Sequence, residues 1–133
     1  MKKNSELIEF FYQSKNRSIK WKKYFQIYEN LFSKYRNKDI TFVEIGVLDG
    51  GSLEIWKKYF GDNARIIGID KNLECQKLKS PNYEIFIGSQ SDPIFWRNFY
   101  NKVGNVDIIL DDGGHTNDQQ IITLLESINY IKP

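Results

Sequence analysis

ITFVEIGVLDGGSLEIWKKYFGDNARIIGID, residues 40–70, reads as a strand, a glycine turn, a helix and a second strand. The runs ITFVEIG (40–46) and ARIIGID (64–70) are short, β-branched and closed by glycine or a carboxylate, as strands buried on both faces are. GGSLEIWKKYFG between them is helix-like and stops at Gly61, a carboxyl-terminal cap. Outward from this unit the same texture repeats in NYEIFIG (82–88) and VDIILDD (106–112). DPIFWRNFYNKVG opens with Asp92 as cap and Pro93 in the first helical position, and ends at Gly104. NDQQIITLLESINYIK pairs Asn117 with Gln120 at the spacing of a capping box, whereas LECQKLKS gives at most a short helix. Strands alternating with helices imply right-handed crossovers and a parallel α/β sheet with helices on both faces, a Rossmann-like class whose ligands sit at the carboxyl edge of the strands.

Residues 1–38 form an amino-terminal helical segment, and residues 39–133 the sheet-bearing domain. In the former, Trp21, Tyr24, Phe25, Tyr28, Leu31, Phe32 and Tyr35 recur at three- and four-residue steps. That stripe reads as a helix face packed on the sheet or over the ligand cleft, rather than a stacking platform for bases. A net charge of +2 argues against nucleic acid or an acidic membrane as partner. No apolar run approaches membrane-spanning length, the start is too charged for a signal peptide, and the single Cys75 fits a reducing compartment; the expected location is cytoplasmic.

Function is then decided by what stands at the four strand ends. The first ends in Glu44-Ile45-Gly46 and turns through Gly50 and Ser52 into the helix; glycines there let a ligand approach the backbone. Leu48 occupies the second glycine position of a G-x-G-x-x-G dinucleotide turn, which weakens a pyrophosphate seat, and Glu44 suits a cation such as an ammonium group. Asp70, ending the second strand, has the placement of an acid that accepts hydrogen bonds from a ribose diol. At the third edge Gln90 and Ser91 offer polar groups to an adenine rim, while Asp92 is a helix cap. The fourth ends in Asp111-Asp112-Gly113-Gly114-His115. Adjacent carboxylates are costly unless a cation or donors accept them, and the glycines allow His115 to curl back as a base beside a hard metal ligand.

With these edges in place the sequence resembles the class I S-adenosylmethionine-dependent methyltransferases, and among them the metal-dependent sugar O-methyltransferases of the mycinamicin type. The resemblance rests on EIGVLDGGSLEIW, YFGDNARIIGID, GSQSD and DIILDDGGH, over roughly residues 20 to 133. It implies strand order 3-2-1-4, S-adenosylmethionine held by Glu44, Gly46, Gly50, Ser52, Asp70, Gln90, Ser91 and Asp111, Asp112 as a magnesium ligand, and His115 as the base acting on a sugar-like, small-molecule hydroxyl. The family continues past the equivalent of Pro133 with a fifth to seventh strand and further acidic metal ligands. The sequence therefore reads as truncated, with poor magnesium affinity, an open sheet edge that favours homo-oligomers, and cofactor binding without turnover. The competing readings are a binding module that transfers nothing and an NAD-dependent oxidoreductase.

Overall fold

The computed structural model describes residues 5–16 and 20–133. Four parallel strands, β1 (Thr41–Ile45), β2 (Arg65–Asp70), β3 (Glu84–Ile87) and β4 (Ile108–Asp111), lie in the order β3-β2-β1-β4. Five helices accompany them among the described residues: α1 (Glu6–Gln13), α2 (Tyr24–Phe32), α3 (Gly51–Phe60), α4 (Pro93–Val103) and α5 (Asn117–Ser127). This is the parallel α/β sheet and strand order expected. The strands are shorter than the sequence runs by one or two residues at each end, except that β2 closes on Asp70 as its run does.

The alternation along β1 and β2 divides the core in two. Phe42 and Ile66 face a cluster with Leu7, Phe25, Phe32, Trp56 and Phe60, contributed by α1, α2 and α3. Val43, Ile45, Ile67 and Ile69 face the other side, against Trp96, Phe99, Tyr100 and Val106. Both inner strands are thus apolar on both faces, the condition that their near-continuous Val/Ile/Phe runs meet. Glu44 falls on the same face as Phe42, fully buried against the α3 side.

Helix ends follow their local chemistry. Asp92 Oδ1 accepts from Ile94 N at 2.9 Å with Pro93 next in line, and Gly104 closes α4 at φ +77°. Gly61 closes α3 at φ +96°. The capping box of α5 differs from the one read in the sequence: it joins Thr116 and Gln119, one residue earlier than Asn117 and Gln120. Thr116 has the extended backbone of a cap while Asn117 is already inside the helix, so the threonine hydroxyl is the one that meets the free amide. The aromatic stripe is also narrower than expected. Phe25, Tyr28 and Phe32 are buried, but Trp21, Tyr24 and Leu31 are exposed, because α2 begins only at Tyr24 and turns one strip of its surface inwards. No helix of the described residues is long and apolar enough to cross a membrane.

Candidate functional site

Where the chain leaves β1 it makes a tight turn at the point where strand order reverses between β1 and β4. Gly46 N donates to Ile69 O at 2.8 Å, Val47 N to Asp70 Oδ2 at 2.9 Å, and Gly50 N to Val47 O at 3.0 Å. Gly46 sits at φ +94°, and a β-carbon there would lie 2.3 Å from the Asp112 carbonyl oxygen. Only glycine lets the β1 and β4 loops touch in this way. The second carboxylate oxygen of Asp70 accepts from Asn72 N at 2.8 Å. Two backbone donors therefore fix the carboxylate beside the turn, with lone pairs left to accept further bonds.

Glu44 does not face open space. Its Oε1 accepts from Ser52 Oγ, and its Oε2 from Trp56 Nε1 at 2.9 Å and from the Lys20 ammonium at 3.1 Å. Lys20 also donates to Asp112 Oδ2. The ammonium that a strand-end carboxylate calls for is thus supplied by the chain itself. Burial alone would depress the Lys20 ammonium; Glu44 and Asp112 override it and hold it above the ordinary lysine value. Sequence reasoning missed Lys20, one of several lysines around residue 20. The available signal was the demand for a cation that Asp111-Asp112 itself created.

Gln90 is buried and ties three elements together. Its Nε2 donates to Asp111 Oδ2 and to Thr123 Oγ1 of α5, both at 3.0 Å, and its Oε1 accepts from Gly114 N at 2.6 Å. The sequence left this side chain free for a ligand; the structure spends all of its hydrogen-bonding groups but one lone pair on the β4 loop and α5. Asp111 Oδ1 accepts from Gly113 N at 3.1 Å, so both neighbouring carboxylates have donors. His115 is exposed just beyond this loop.

A crevice of about 190 Å³ opens at this edge, lined by Gly46, Asp70, Lys71, Ser89, Gln90 and Gly113 among others. Of the expected ligand residues, Gly46, Asp70 and Gln90 line it. Glu44 and Ser52 lie behind the β1 turn, Gly50 is buried against Tyr83 and Leu78, and Ser91, Asp111, Asp112 and His115 follow the same strand ends without lining the crevice. Lys71, Ser89 and Gln119 line it although the sequence did not single them out. Its volume is below the 300 Å³ or so at which pockets for drug-sized ligands begin, and matches part of such a molecule. A larger hollow of about 650 Å³ lies away from the strand ends, between the end of α1 and the outer side of α3. Asp112 is the one expected metal ligand, and no group of three or more His, Cys, Asp or Glu side chains fit to hold a metal occurs among the described residues. The carboxylate set present therefore does not by itself suit an ion that needs several oxygen ligands.

No family model matches the chain. It is 34% identical over 99 residues to the 8-demethyl-8-alpha-L-rhamnosyl tetracenomycin-C 2'-O-methyltransferase of Streptomyces olivaceus, covering 69% of this chain and 26% of that protein. It is 27% identical over 136 residues to the mycinamicin VI 2''-O-methyltransferase of Micromonospora griseorubida, covering 97% of this chain and 33% of that protein. Among solved structures, the MycE methyltransferase of the mycinamycin biosynthetic pathway, in complex with Mg and SAH, superposes with a TM-score of 0.81 at 27% identity, over 97% of this chain and 36% of that one. The chain thus spans about a quarter to a third of the length of the relatives it matches. In sequence and in fold it is a homologue, over that stretch, of the sugar and macrolide O-methyltransferases built on the class I S-adenosylmethionine-dependent fold.

Proposed function

We propose that the chain is the cofactor-binding part of an S-adenosylmethionine-dependent methyltransferase that methylates a hydroxyl of a sugar-like small molecule. The observation that carries this reading is that Gly46, Asp70 and Gln90, from three strand ends, line one crevice in a chain similar to a methyltransferase solved with SAH. Bound S-adenosylmethionine would supply an electrophilic methyl group to an acceptor oxygen. Asp70, its carboxylate fixed by Val47 N and Asn72 N, accepts hydrogen bonds from the ribose. Gly46 lets the cofactor reach the backbone, Gly50 completes the turn into α3, and Ser91 lies near the adenine side. Gln90 and Asp111 shape the crevice through their mutual bond, while Glu44 and Ser52 brace it from behind. His115, exposed at the rim, takes the proton of the acceptor hydroxyl, and holding the reactants in line supplies much of the acceleration. Magnesium, present in the solved neighbour, would find here a single carboxylate, Asp112, already bonded to Lys20. We place the protein in the cytoplasm, with self-association through the outer edge of β4.

A second reading, a module that holds the cofactor without transferring its methyl, draws support from Lys20 on Asp112 and from the lone carboxylate available to a metal. Titration calorimetry with S-adenosylhomocysteine and, separately, NAD tests the main reading. S-adenosylhomocysteine should bind, Asp70→Ala should weaken it at least about tenfold through loss of a charge-assisted contact, and NAD should give no heat. Binding of NAD with no response to S-adenosylhomocysteine would overturn it. Transfer of labelled methyl to sugar acceptors, with and without His115→Ala, separates enzyme from module.

A further inference from the structure

Lys20 belongs to none of the motifs above, yet its ammonium is what joins Glu44 to Asp112. The Lys20 side chain is only 3% exposed, which sets it apart from a surface lysine that reaches for the nearest acid. Glu44 is wholly buried, and its other partners, Ser52 and Trp56, are neutral donors, so Lys20 balances its charge. The Asp112 side chain is 37% exposed, so solvent and its ions reach the same carboxylate. An ammonium bonded to carboxylates from two different strand ends occupies a cation position, with oxygens converging on it from β1 and from the β4 loop.

We propose that Lys20 is the resident cation of that position: a positioning residue that sets Glu44 and Asp112 against each other and keeps a divalent ion off Asp112 while its ammonium is there. The ammonium already engages Asp112 Oδ2, and it repels a metal ion brought to the same carboxylate, so each weakens the hold of the other. The inference takes from the functional reading only Asp112 as a metal ligand, and nothing in it depends on methyl transfer.

Truncation followed by chemical rescue is the test. Lys20→Ala leaves both carboxylates around vacated volume, whereas Lys20→Met fills it with apolar atoms. Thermal unfolding should show both variants melting below the parent, with ethylammonium raising the midpoint of Lys20→Ala alone. Manganese(II) binding, followed by electron paramagnetic resonance, should be at least about tenfold tighter in Lys20→Ala than in the parent, and the gain should vanish in Lys20→Ala/Asp112→Asn. Equal manganese affinity in parent and Lys20→Ala, or a gain that survives loss of Asp112, overturns the proposal. If Lys20→Ala does not fold, Lys20→Ala/Glu44→Gln removes the uncompensated buried charge. It must still bind manganese more tightly than Glu44→Gln alone, and equality there overturns the proposal too. Calorimetry of the parent with S-adenosylhomocysteine is read alongside. Failure there sinks the methyltransferase reading and leaves the manganese result standing.

Discussion

At Leu48 the backbone takes φ +53° with a branched side chain attached, a conformation that costs an L residue about 1–2 kcal/mol. In the sequence Leu48 stands where a dinucleotide turn has its second glycine, and its identity alone argued that the turn was different. The structure keeps the left-handed backbone without the glycine. Leu48 is 44% exposed, so little apolar burial compensates for the strain. Leu48→Gly relieves it at an entropic cost of about 0.5–1 kcal/mol, and should leave the protein as stable as before or up to about 1 kcal/mol more so. Urea unfolding measures this, and a loss above 1 kcal/mol would show that the Leu48 side chain is held by contacts that outweigh the strain. The residue scale is also where the sequence was least legible. Acid residues at strand ends announce themselves through the apolar runs they terminate, but Lys20 is distant in sequence from both its partners, and no local pattern distinguishes it from Lys22 or Lys23. Gln90 was placed at the correct edge, yet its neighbours across the fold, Thr123 and Gly114, decided what its amide does.

The elements were more readable because each is specified by contacts close in sequence. A short β-branched run closed by a glycine or carboxylate, a proline after an aspartate and a glycine past the last turn mark a strand, a helix start and a helix stop without long-range information. Caps are read less securely when two candidates are adjacent, and α5 is the case in point. Thr116 Oγ1 accepts from Gln119 N at 3.4 Å, and the Gln119 side-chain oxygen accepts from Thr116 N at 3.1 Å. Thr116→Ala removes the hydroxyl half of the box and should cost about 1 kcal/mol, whereas Asn117→Ala, already inside the helix, should cost a few tenths at most. Chemical denaturation of the two variants decides the register. Equal losses, or a larger one at Asn117, would restore the capping box first read from the sequence. The same helix carries Thr123 to Gln90, so a loosened start of α5 also loosens the wall of the crevice.

On the scale of the whole molecule the sheet separates two aromatic cores, and each buries a phenol whose ionisation reports on it. Tyr59 of α3 donates to Glu29 Oε2 of α2 at 2.8 Å; burial first, and then that carboxylate, push its phenol far above the usual tyrosine range. Tyr100 of α4 stacks on Tyr130 with ring centres 4.0 Å apart, and burial pushes it up to about 12. A folded pKa above the unfolded value of roughly 10 means that the native state retains a proton which the unfolded chain has lost. The stability each phenol contributes is therefore complete below pH 10 and declines as pH climbs towards its folded value, by about 1.4 kcal/mol per pH unit for each phenol. Two phenols falling together over the interval from about 10 to 12 remove on the order of 5 kcal/mol, comparable to the stability of a small domain. The chain should accordingly unfold cooperatively in that interval, with the tyrosinate absorbance of the buried phenols rising together with the loss of helical circular dichroism. Tyr100→Phe should shift the transition to higher pH. If the tyrosinate signal instead rises in two steps, one of them before helix is lost, then the cores on the two faces of the sheet open independently, and the Glu44–Lys20–Asp112 link across the strand ends does not couple them.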